Sequence, residues 1–161
     1  MAADEREMLI AEIREAFADV GRGEGTSLLQ GRVLDEYGSP AEQEAARTRD
    51  VDTHWWDVGD YRLERLHNAL IFLDADGFRY YLPAFMTWTL RHGRKSDVPV
   101  GDYAVGELAR RDPTRDLELM TEPQCRAVAR FLQFVASHPK DDWADSREAA
   151  VALRRHWGRF L

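Results

Sequence analysis

Hydrophobic residues recur at helical spacing over most of this chain. In residues 4–20 they return every three or four positions, at Leu9, Ile13, Ala16, Phe17 and Val20. After Thr121 a second stripe continues toward Ser137 and comprises Cys125, Val128, Phe131, Leu132 and Val135. Spacing of this kind is typical of amphipathic helices that bury one face. The two stripes therefore predict two helices that pack on a common core.

Local signals indicate where several helices begin. Thr121 and Gln124 match a capping box, in which each side chain accepts a hydrogen bond from the other residue's free backbone amide. The segment from Ser39 to Glu42 matches the same pattern and has proline at the first helical position. Asp60 is suited to cap a helix whose inward face carries Leu63, Leu66, Ala69 and Leu70. Further helices are predicted over residues 27–37, 102–110 and 143–160.

One segment favours extended structure. Asp74-Ala75-Asp76-Gly77 is typical of a turn, because Asp side chains bond to nearby backbone amides and glycine readily adopts positive φ. The aromatic run from Phe78 to Leu82 favours a short strand, and Pro83 is well placed to begin the next helix. The predicted fold class is therefore mainly α, or α+β with at most a small strand or hairpin near residues 71–82.

The composition indicates a single hydrophobic core. Of the 161 residues, 44% are hydrophobic and 11% are aromatic, while the 32% that are charged can cover the exterior. A chain of this length buries roughly two-thirds of the surface that its unfolded form exposes. Residues 1–161 are therefore predicted to form one globular domain.

Charge and cysteine content argue against several classes of protein. The net charge of −7 and the pI near 5.2 disfavour attraction to phosphate backbones, so nucleic acid is not an expected partner. No run approaches the ~20 apolar residues of a membrane span, and the acidic N-terminus does not match a secretory signal. Cys125 is the only cysteine and has no internal disulfide partner. These features predict a cytoplasmic protein without a membrane partner.

The segment IFLDADG, from Ile71 to Gly77, is similar to the opening motif of phosphatases of the haloacid dehalogenase type. In such a site the first Asp is the nucleophile, the second is a general acid/base, and further acidic residues hold Mg²⁺. Here Phe78 replaces the Thr or Val after the glycine, and no alternating strand and helix pattern surrounds the motif. A tight turn is the favoured interpretation, and a small metal-dependent hydrolase that uses Asp74 and Asp76 is the alternative.

The remaining residues with metal-binding or nucleophilic chemistry form no recognisable motif. The five histidines are scattered and include no pair at i, i+4 spacing. A metal site built from dispersed His and Asp residues stays open as an alternative. Cys125 falls on the apolar stripe of its helix, which favours a core position over a catalytic one. No cofactor, metal or catalytic residue is therefore assigned.

Aromatic and acidic residues in the middle of the chain indicate a binding surface. Trp55 and Trp56 are adjacent in a predicted loop, where two neighbouring indoles do not easily both point inward. Aromatic side chains concentrate at the centres of protein interfaces. In the alternative interpretation, both indoles fill the core from the loop. The candidate binding surface comprises Trp55, Trp56, Asp57, Asp74, Asp76, Arg79, Tyr80 and Tyr81.

The acidic surroundings of this surface favour a basic protein partner, since opposite charges speed encounter. A homodimer that buries the same surface is the alternative. The favoured function is a noncatalytic protein-binding module, and enzymatic activity is the competing hypothesis.

Two long segments resemble a bacterial domain family of unknown function. They are LIFLDADGFRYYLPAFMTWTLR and, later in the chain, LMTEPQCRAVARFLQFVASH. The resemblance rests on a Trp-containing lead-in, an FLD-x-x-GFR-x-YLPA segment and a C-terminal T-x-x-Q-C helix, and it covers Trp55 to His138. It implies a small soluble protein and no particular activity. The proline-led helix is also similar in style to small bacterial immunity proteins, which implies an immunity-like or regulatory partner as one form of the binding module.

Overall fold

The chain folds into α-helices joined by short turns. The computed structural model describes residues 2–93, 97–117, 120–141 and 143–161, and these residues contain no strand. The prediction of a mainly helical fold is therefore confirmed. The helices are α1 (Ala2–Ala16), α2 (Leu28–Asp35), α3 (Pro40–Arg49), α4 (Asp60–Arg65), α5 (Ala75–His92), α6 (Val100–Arg110), α7 (Glu122–Ser137) and α8 (Ser146–Ala152). Short 3₁₀ turns cover Trp55–Asp57, His67–Phe72 and Gly158–Phe160, and a π turn covers Leu153–Trp157.

The predicted capping boxes are present in the structure. Ser39 Oγ accepts a hydrogen bond from the Glu42 amide at 3.2 Å, and the Glu42 carboxylate accepts one from the Ser39 amide at 3.3 Å. Thr121 and Gln124 make the same reciprocal pair at the start of α7. α2 begins with a further box, formed by Ser27 and its third helical residue. Such caps satisfy amides that the helix itself leaves without acceptors.

The core is organised around α5, which is buried along most of its length. This helix packs against α1, α4, α6 and the 3₁₀ turn at Trp55–Asp57, while α7 packs against α1 and α8. Every described helix except α3 contributes apolar side chains to one continuous cluster. Cys125 is buried in that cluster, so its predicted core position is confirmed. No described helix is long and apolar enough to cross a membrane.

The predicted strand near residues 71–82 is wrong. Ile71 and Phe72 lie in the 3₁₀ turn at His67–Phe72, Leu73 and Asp74 connect that turn to α5, and the residues from Ala75 onward lie in α5. Asp74 is the cap of α5, because its Oδ1 accepts hydrogen bonds from the Gly77 amide at 2.8 Å and from the Thr26 amide at 2.9 Å. The helix therefore starts eight positions before Pro83, and the prediction that this proline begins it is also wrong.

Burial explains why the aromatic run is helical. The residues from Tyr80 to Leu90 are all buried, so α5 is covered around nearly its whole circumference. A helix in that position is stabilised by packing on every face, and packing overrides the strand preference of aromatic residues. Pro83 removes one hydrogen-bond donor from the helix, and α5 continues through it.

Gly77 has a packing role that the turn interpretation did not identify. A Cβ atom at this position would lie 2.3 Å from the Thr26 carbonyl oxygen, and one at Gly25 would lie 2.6 Å from the Gly77 nitrogen. The first turn of α5 therefore touches the backbone of the loop before α2, with no room for a side chain on either glycine.

Several predicted boundaries shift by a few residues. α1 ends at Ala16, although Phe17 and Val20 beyond it are buried as the helical pattern required. Gly59 occupies the cap position of α4 and Asp60 is its first residue, so the predicted capping role of Asp60 is wrong. The last α-helix begins at Ser146, after a cap by Asp145.

Candidate functional site

The structure divides the predicted binding surface between the exterior and the core. Its exposed members are Asp57, Asp74 and Asp76, and its half-buried members are Trp56 and Arg79. The three others, Trp55, Tyr80 and Tyr81, are buried. The prediction that they take part in an exposed aromatic patch is therefore wrong. Because α5 is helical at this point, both tyrosine rings turn into the core.

The residues of the predicted surface on and next to α5 make different contacts from those in the Trp55–Asp57 turn. Arg79 Nε donates to Gln124 Oε1 at 3.1 Å, and Asp74 serves as the cap described above. No hydrogen bond or ring contact joins these residues to the Trp55–Asp57 turn in the described parts of the chain. Within the same parts, no three His, Cys, Asp or Glu side chains converge as a possible metal site. The acidic motif at Asp74 thus has a structural explanation.

A buried polar network holds the segment that leads to Trp55. We define it as Asp50, Asp52, Arg62 and Tyr80. Arg62 donates to Asp50 Oδ1 and, at 2.9 Å, to Asp52 Oδ1. The remaining carboxylate oxygens accept from the Leu29 amide at 2.8 Å and from the Tyr80 hydroxyl at 2.7 Å. Buried charge is tolerated when it is paired in this way, and the network fixes the loop before the Trp55–Asp57 turn.

Two tyrosines have shifted pKa values: Tyr80, which belongs to the network, and Tyr81, which follows it in the chain. Burial raises the pKa of Tyr80, and the hydrogen bond to Asp52 and the charge of that carboxylate raise it further. Burial also raises the pKa of Tyr81, while a hydrogen bond from Arg22 at 3.3 Å acts in the opposite direction. Both phenols are therefore held protonated as structural groups.

A cavity of about 390 Å³ lies between α1, the Trp55–Asp57 turn, α4 and α5. We call it the tryptophan cavity, because Trp55, Trp56 and Trp88 line it. Sites for small ligands are typically concave, of this size, and apolar apart from a few placed polar groups. This cavity is therefore the candidate functional site.

Hydrogen bonds and ring contacts fix the two adjacent indoles. Trp55 Nε1 donates to the Phe17 carbonyl at 2.9 Å, which anchors the buried ring. Trp56 meets Trp55 edge-on, with ring centroids 5.5 Å apart. The imidazole of His54 stacks on Trp56 at 4.4 Å, and the Arg14 guanidinium carbon lies 3.4 Å from the Trp56 ring centroid. Trp56 is thus held at the rim of the cavity by a stacking and a cation–π contact.

The charged residues of the cavity are not equivalent. Its carboxylates have side-chain partners: Glu7 lies 3.6 Å from Arg6, and Asp60 lies 2.9 Å from the imidazole Nε2 of His92. The cavity also contains two arginines, Arg14 and Arg91. Neither guanidinium forms an ion pair or a hydrogen bond with the residues that the structure describes. Arg14 and Arg91 are therefore the cavity side chains that carry a charge without an ion-pair partner among the described residues, in a chain whose net charge is −7.

Two polar atoms in the cavity wall have no hydrogen-bond partner in the protein. They are Thr87 Oγ1 and Trp88 Nε1, on residues that are 7% and 2% exposed. Thr89, two positions along the same helix, donates instead to the Phe85 carbonyl at 2.8 Å. A buried polar group without a partner costs about 1–3 kcal/mol. Such groups therefore call for an explanation.

One family model matches the part of the chain that contains the whole candidate site. The model for DUF6714, a family of unknown function, matches residues 5–160. The chain belongs to this family. The match spans every residue of the tryptophan cavity, and the unknown function of DUF6714 supplies no activity for it. No curated protein and no solved structure matches the chain.

The sequence pattern of this DUF6714 chain contained a signal for the cavity that the sequence analysis missed. On α1, Glu7, Ile10, Ala11 and Arg14 follow helical spacing along one face. On α5 the corresponding face carries Ala84, Thr87, Trp88 and Arg91. Each face combines apolar residues with one arginine near its C-terminal end. Both faces lie within helices that the sequence predicts, and only the tertiary fold shows that they meet across one cavity.

Proposed function

We propose that this DUF6714 chain is a noncatalytic binding module and that the tryptophan cavity is its binding site. The observation that carries the proposal is the pair of buried polar atoms without partners, Thr87 Oγ1 and Trp88 Nε1. Both residues line the cavity, so a bound molecule that offers hydrogen-bond acceptors would become their partner once the side chains that cover the two atoms move aside. The surrounding indoles supply apolar contact area for the rest of that molecule.

The chemistry of the cavity walls favours binding over catalysis. The side chains that line the cavity include no serine, cysteine or histidine, and the nearby His54 and His92 contact Trp56 and Asp60 from outside the lining. The Thr87 hydroxyl has no hydrogen-bond partner that could remove its proton, whereas a hydroxyl nucleophile requires an adjacent base. The alternative hydrolase built on Asp74 and Asp76 gains no support, because Asp74 is engaged as the cap of α5.

A protein partner is a second form of the proposal, and the half-exposed position of Trp56 favours it. Trp56 lies at the cavity rim with the exposed residues His54 and Asp57 around it. Half-exposed tryptophans are effective anchors in protein interfaces. A basic, immunity-like or regulatory partner from a bacterial cell would contact this rim, and so would a second copy of the chain.

A cavity-filling substitution tests the proposal. Ala11 is exposed and lines the cavity, so Ala11→Phe places a phenyl ring at its mouth with little disturbance of the core. Ala3→Phe is the matched control, because Ala3 is an exposed residue of the same helix that lies outside the cavity. Binding of a chemically diverse fragment library is measured by ligand-observed NMR. We expect fragments that bind the wild type and Ala3→Phe but not Ala11→Phe.

If no fragment distinguishes Ala11→Phe from its control, the proposed site is wrong. The protein-partner form makes a different prediction, which a pull-down with Trp56→Ala measures after circular dichroism has shown that each variant is folded. A protein retained by Ala11→Phe and lost from Trp56→Ala would favour a partner at the rim. A concentration-dependent mass that Trp56→Ala abolishes would favour the homodimer.

A further inference from the structure

We infer that the tryptophan cavity binds a small aromatic carboxylate, and this inference rests on the proposed binding function. Three independent features of the cavity point to this class of ligand: its unpaired positive charge, its indole walls and its buried hydrogen-bond donors. Each restricts the chemistry of the bound molecule in a different way.

The charge of the ligand follows from Arg14 and Arg91. Neither guanidinium has a carboxylate partner among the described residues, whereas Glu7 and Asp60 in the same cavity are each paired with another side chain. A ligand carboxylate would complete the missing ion pairs, and guanidinium groups match carboxylate geometry well. A cationic ligand would find both acidic groups already engaged. The cavity therefore favours an anionic ligand, although the net charge of the whole protein is negative.

The shape of the ligand follows from the indoles. Trp55 and Trp56 meet edge to face at an interplanar angle of 83°, and Trp88 lies in the α5 wall of the same cavity. Aromatic rings pack favourably on such walls in stacked or edge-on arrangements. A volume of about 390 Å³ accommodates one or two fused rings.

The hydrogen-bonding groups of the ligand follow from Thr87 and Trp88. The indole N–H of Trp88 is a donor only, so its partner must be an acceptor. The Thr87 hydroxyl can donate to an acceptor as well. Carboxylate oxygens are acceptors only. A carboxylate that pairs with the arginines could therefore also accept hydrogen bonds from the Thr87 hydroxyl and the Trp88 N–H.

Three probes with one ring system and different charges test the inference. They are 2-naphthoate, the neutral 2-naphthamide and the cationic 2-naphthylmethylamine, titrated into the full chain by isothermal calorimetry. We expect 2-naphthoate to bind about tenfold more tightly than the amide, as loss of one charge-assisted hydrogen bond predicts. The amine should show no measurable binding.

Variants identify the groups responsible for that difference. Arg14→Gln and Arg91→Gln should each weaken 2-naphthoate binding about tenfold and leave 2-naphthamide binding unchanged. Arg126→Gln is the matched control, since Arg126 is an exposed arginine on α7 outside the cavity. Thr87→Val should weaken binding of both the acid and the amide, because both offer an acceptor to the hydroxyl.

The outcomes separate this inference from the proposed function. Equal affinity for the three probes, or tightest binding of the amine, would overturn the anion preference and leave the binding module standing. Failure of all three probes, while other fragments bind the wild type and not Ala11→Phe, would overturn the aromatic carboxylate as the ligand class. If no fragment binds in that cavity-dependent way, the proposed function itself fails.

Discussion

The tryptophan cavity and the buried polar network both include residues of α4 and α5, yet they differ in whether their buried polar groups have hydrogen-bond partners. In the network, all four carboxylate oxygens of Asp50 and Asp52 accept hydrogen bonds from within the protein. In the cavity, Thr87 and Trp88 each bury a polar atom without a partner. Burial of polar groups is thus common to both regions, and hydrogen-bond satisfaction distinguishes them.

That difference separates a structural role from a binding role. A fully paired network stabilises the native state and has no free group to offer a ligand. Unpartnered buried groups destabilise the native state and can be satisfied only by something that enters the cavity. Substitutions in the two regions should therefore change stability in different amounts and with different signs.

The largest effect is expected in the network. Asp50 is 3% exposed and pairs with Arg62, so Asp50→Ala leaves a partly buried guanidinium with one partner fewer. Removing one member of a buried ion pair typically costs 3–5 kcal/mol, and the partial exposure of Arg62 places the expected loss near the lower end, about 3 kcal/mol. Urea unfolding measures it, with the exposed Asp57→Ala as control, for which we expect less than about 0.5 kcal/mol. Equal losses in the two variants would show that the network does not hold the fold.

An intermediate effect is expected at Tyr80, and it depends on pH. Tyr80→Phe removes a hydrogen bond to the Asp52 carboxylate and should lower the free energy of unfolding by about 2 kcal/mol at pH 7. Because the pKa of Tyr80 is raised in the folded state, this phenol ionises at a lower pH in the unfolded chain than in the folded one. Wild-type stability should therefore fall as the pH rises above about 10, the ordinary pKa of tyrosine.

The phenylalanine variant isolates this contribution. Because it lacks the hydroxyl, its stability should fall less steeply between pH 9 and pH 11, as urea titrations at fixed pH values would show. The slope that remains includes Tyr81, whose pKa is raised in the same direction. Parallel curves for the two proteins would mean that Tyr80 does not stay protonated in the folded state.

The smallest change in stability is expected in the cavity, where the test is whether the substitution stabilises or destabilises the protein. Thr87→Val removes a buried hydroxyl without a partner and should stabilise the protein by about 1 kcal/mol. Thr89→Val, on the same helix, removes a hydroxyl that is bonded to the Phe85 carbonyl and should destabilise by about 1 kcal/mol. Thermal unfolding of the two isosteric variants compares them directly. A loss of stability in both would indicate that the Thr87 hydroxyl is already satisfied.

The parts of the fold that could be predicted from sequence depend on contacts within one turn. The capping boxes at Ser39 and Thr121 join residues three positions apart, and the stripe on α7 needs only its own periodicity. The start of α5 has a local signal too, since Asp74 accepts a hydrogen bond from the Gly77 amide, but the aromatic run after it favoured a strand. Asp74 bonds to the amide of Thr26, 48 positions earlier, and the helix is stabilised by packing around it.

The candidate site was located in part. The adjacent tryptophans indicated a segment that lines the proposed cavity, because two neighbouring indoles in a loop are unusual. The prediction that Tyr80 and Tyr81 share an exposed surface with them was wrong, since a helix in place of a strand turns both rings into the core. The arginines of the cavity, Arg14 and Arg91, come from helices far apart in the chain, and only the tertiary fold shows that both lack carboxylate partners.

The contact between Asp74, Gly77 and the loop at Gly25 and Thr26 has a consequence for how the sequence can vary among relatives. Position 74 must keep a short side chain that accepts hydrogen bonds, and positions 25 and 77 must keep glycine, because backbone atoms fill the space of a Cβ. Asp76 is exposed and is free to change. A phosphatase of the haloacid dehalogenase type would retain both aspartates. Relatives that change position 76 but keep Asp74 and the two glycines would therefore show that this motif holds α5 against the loop and is not catalytic.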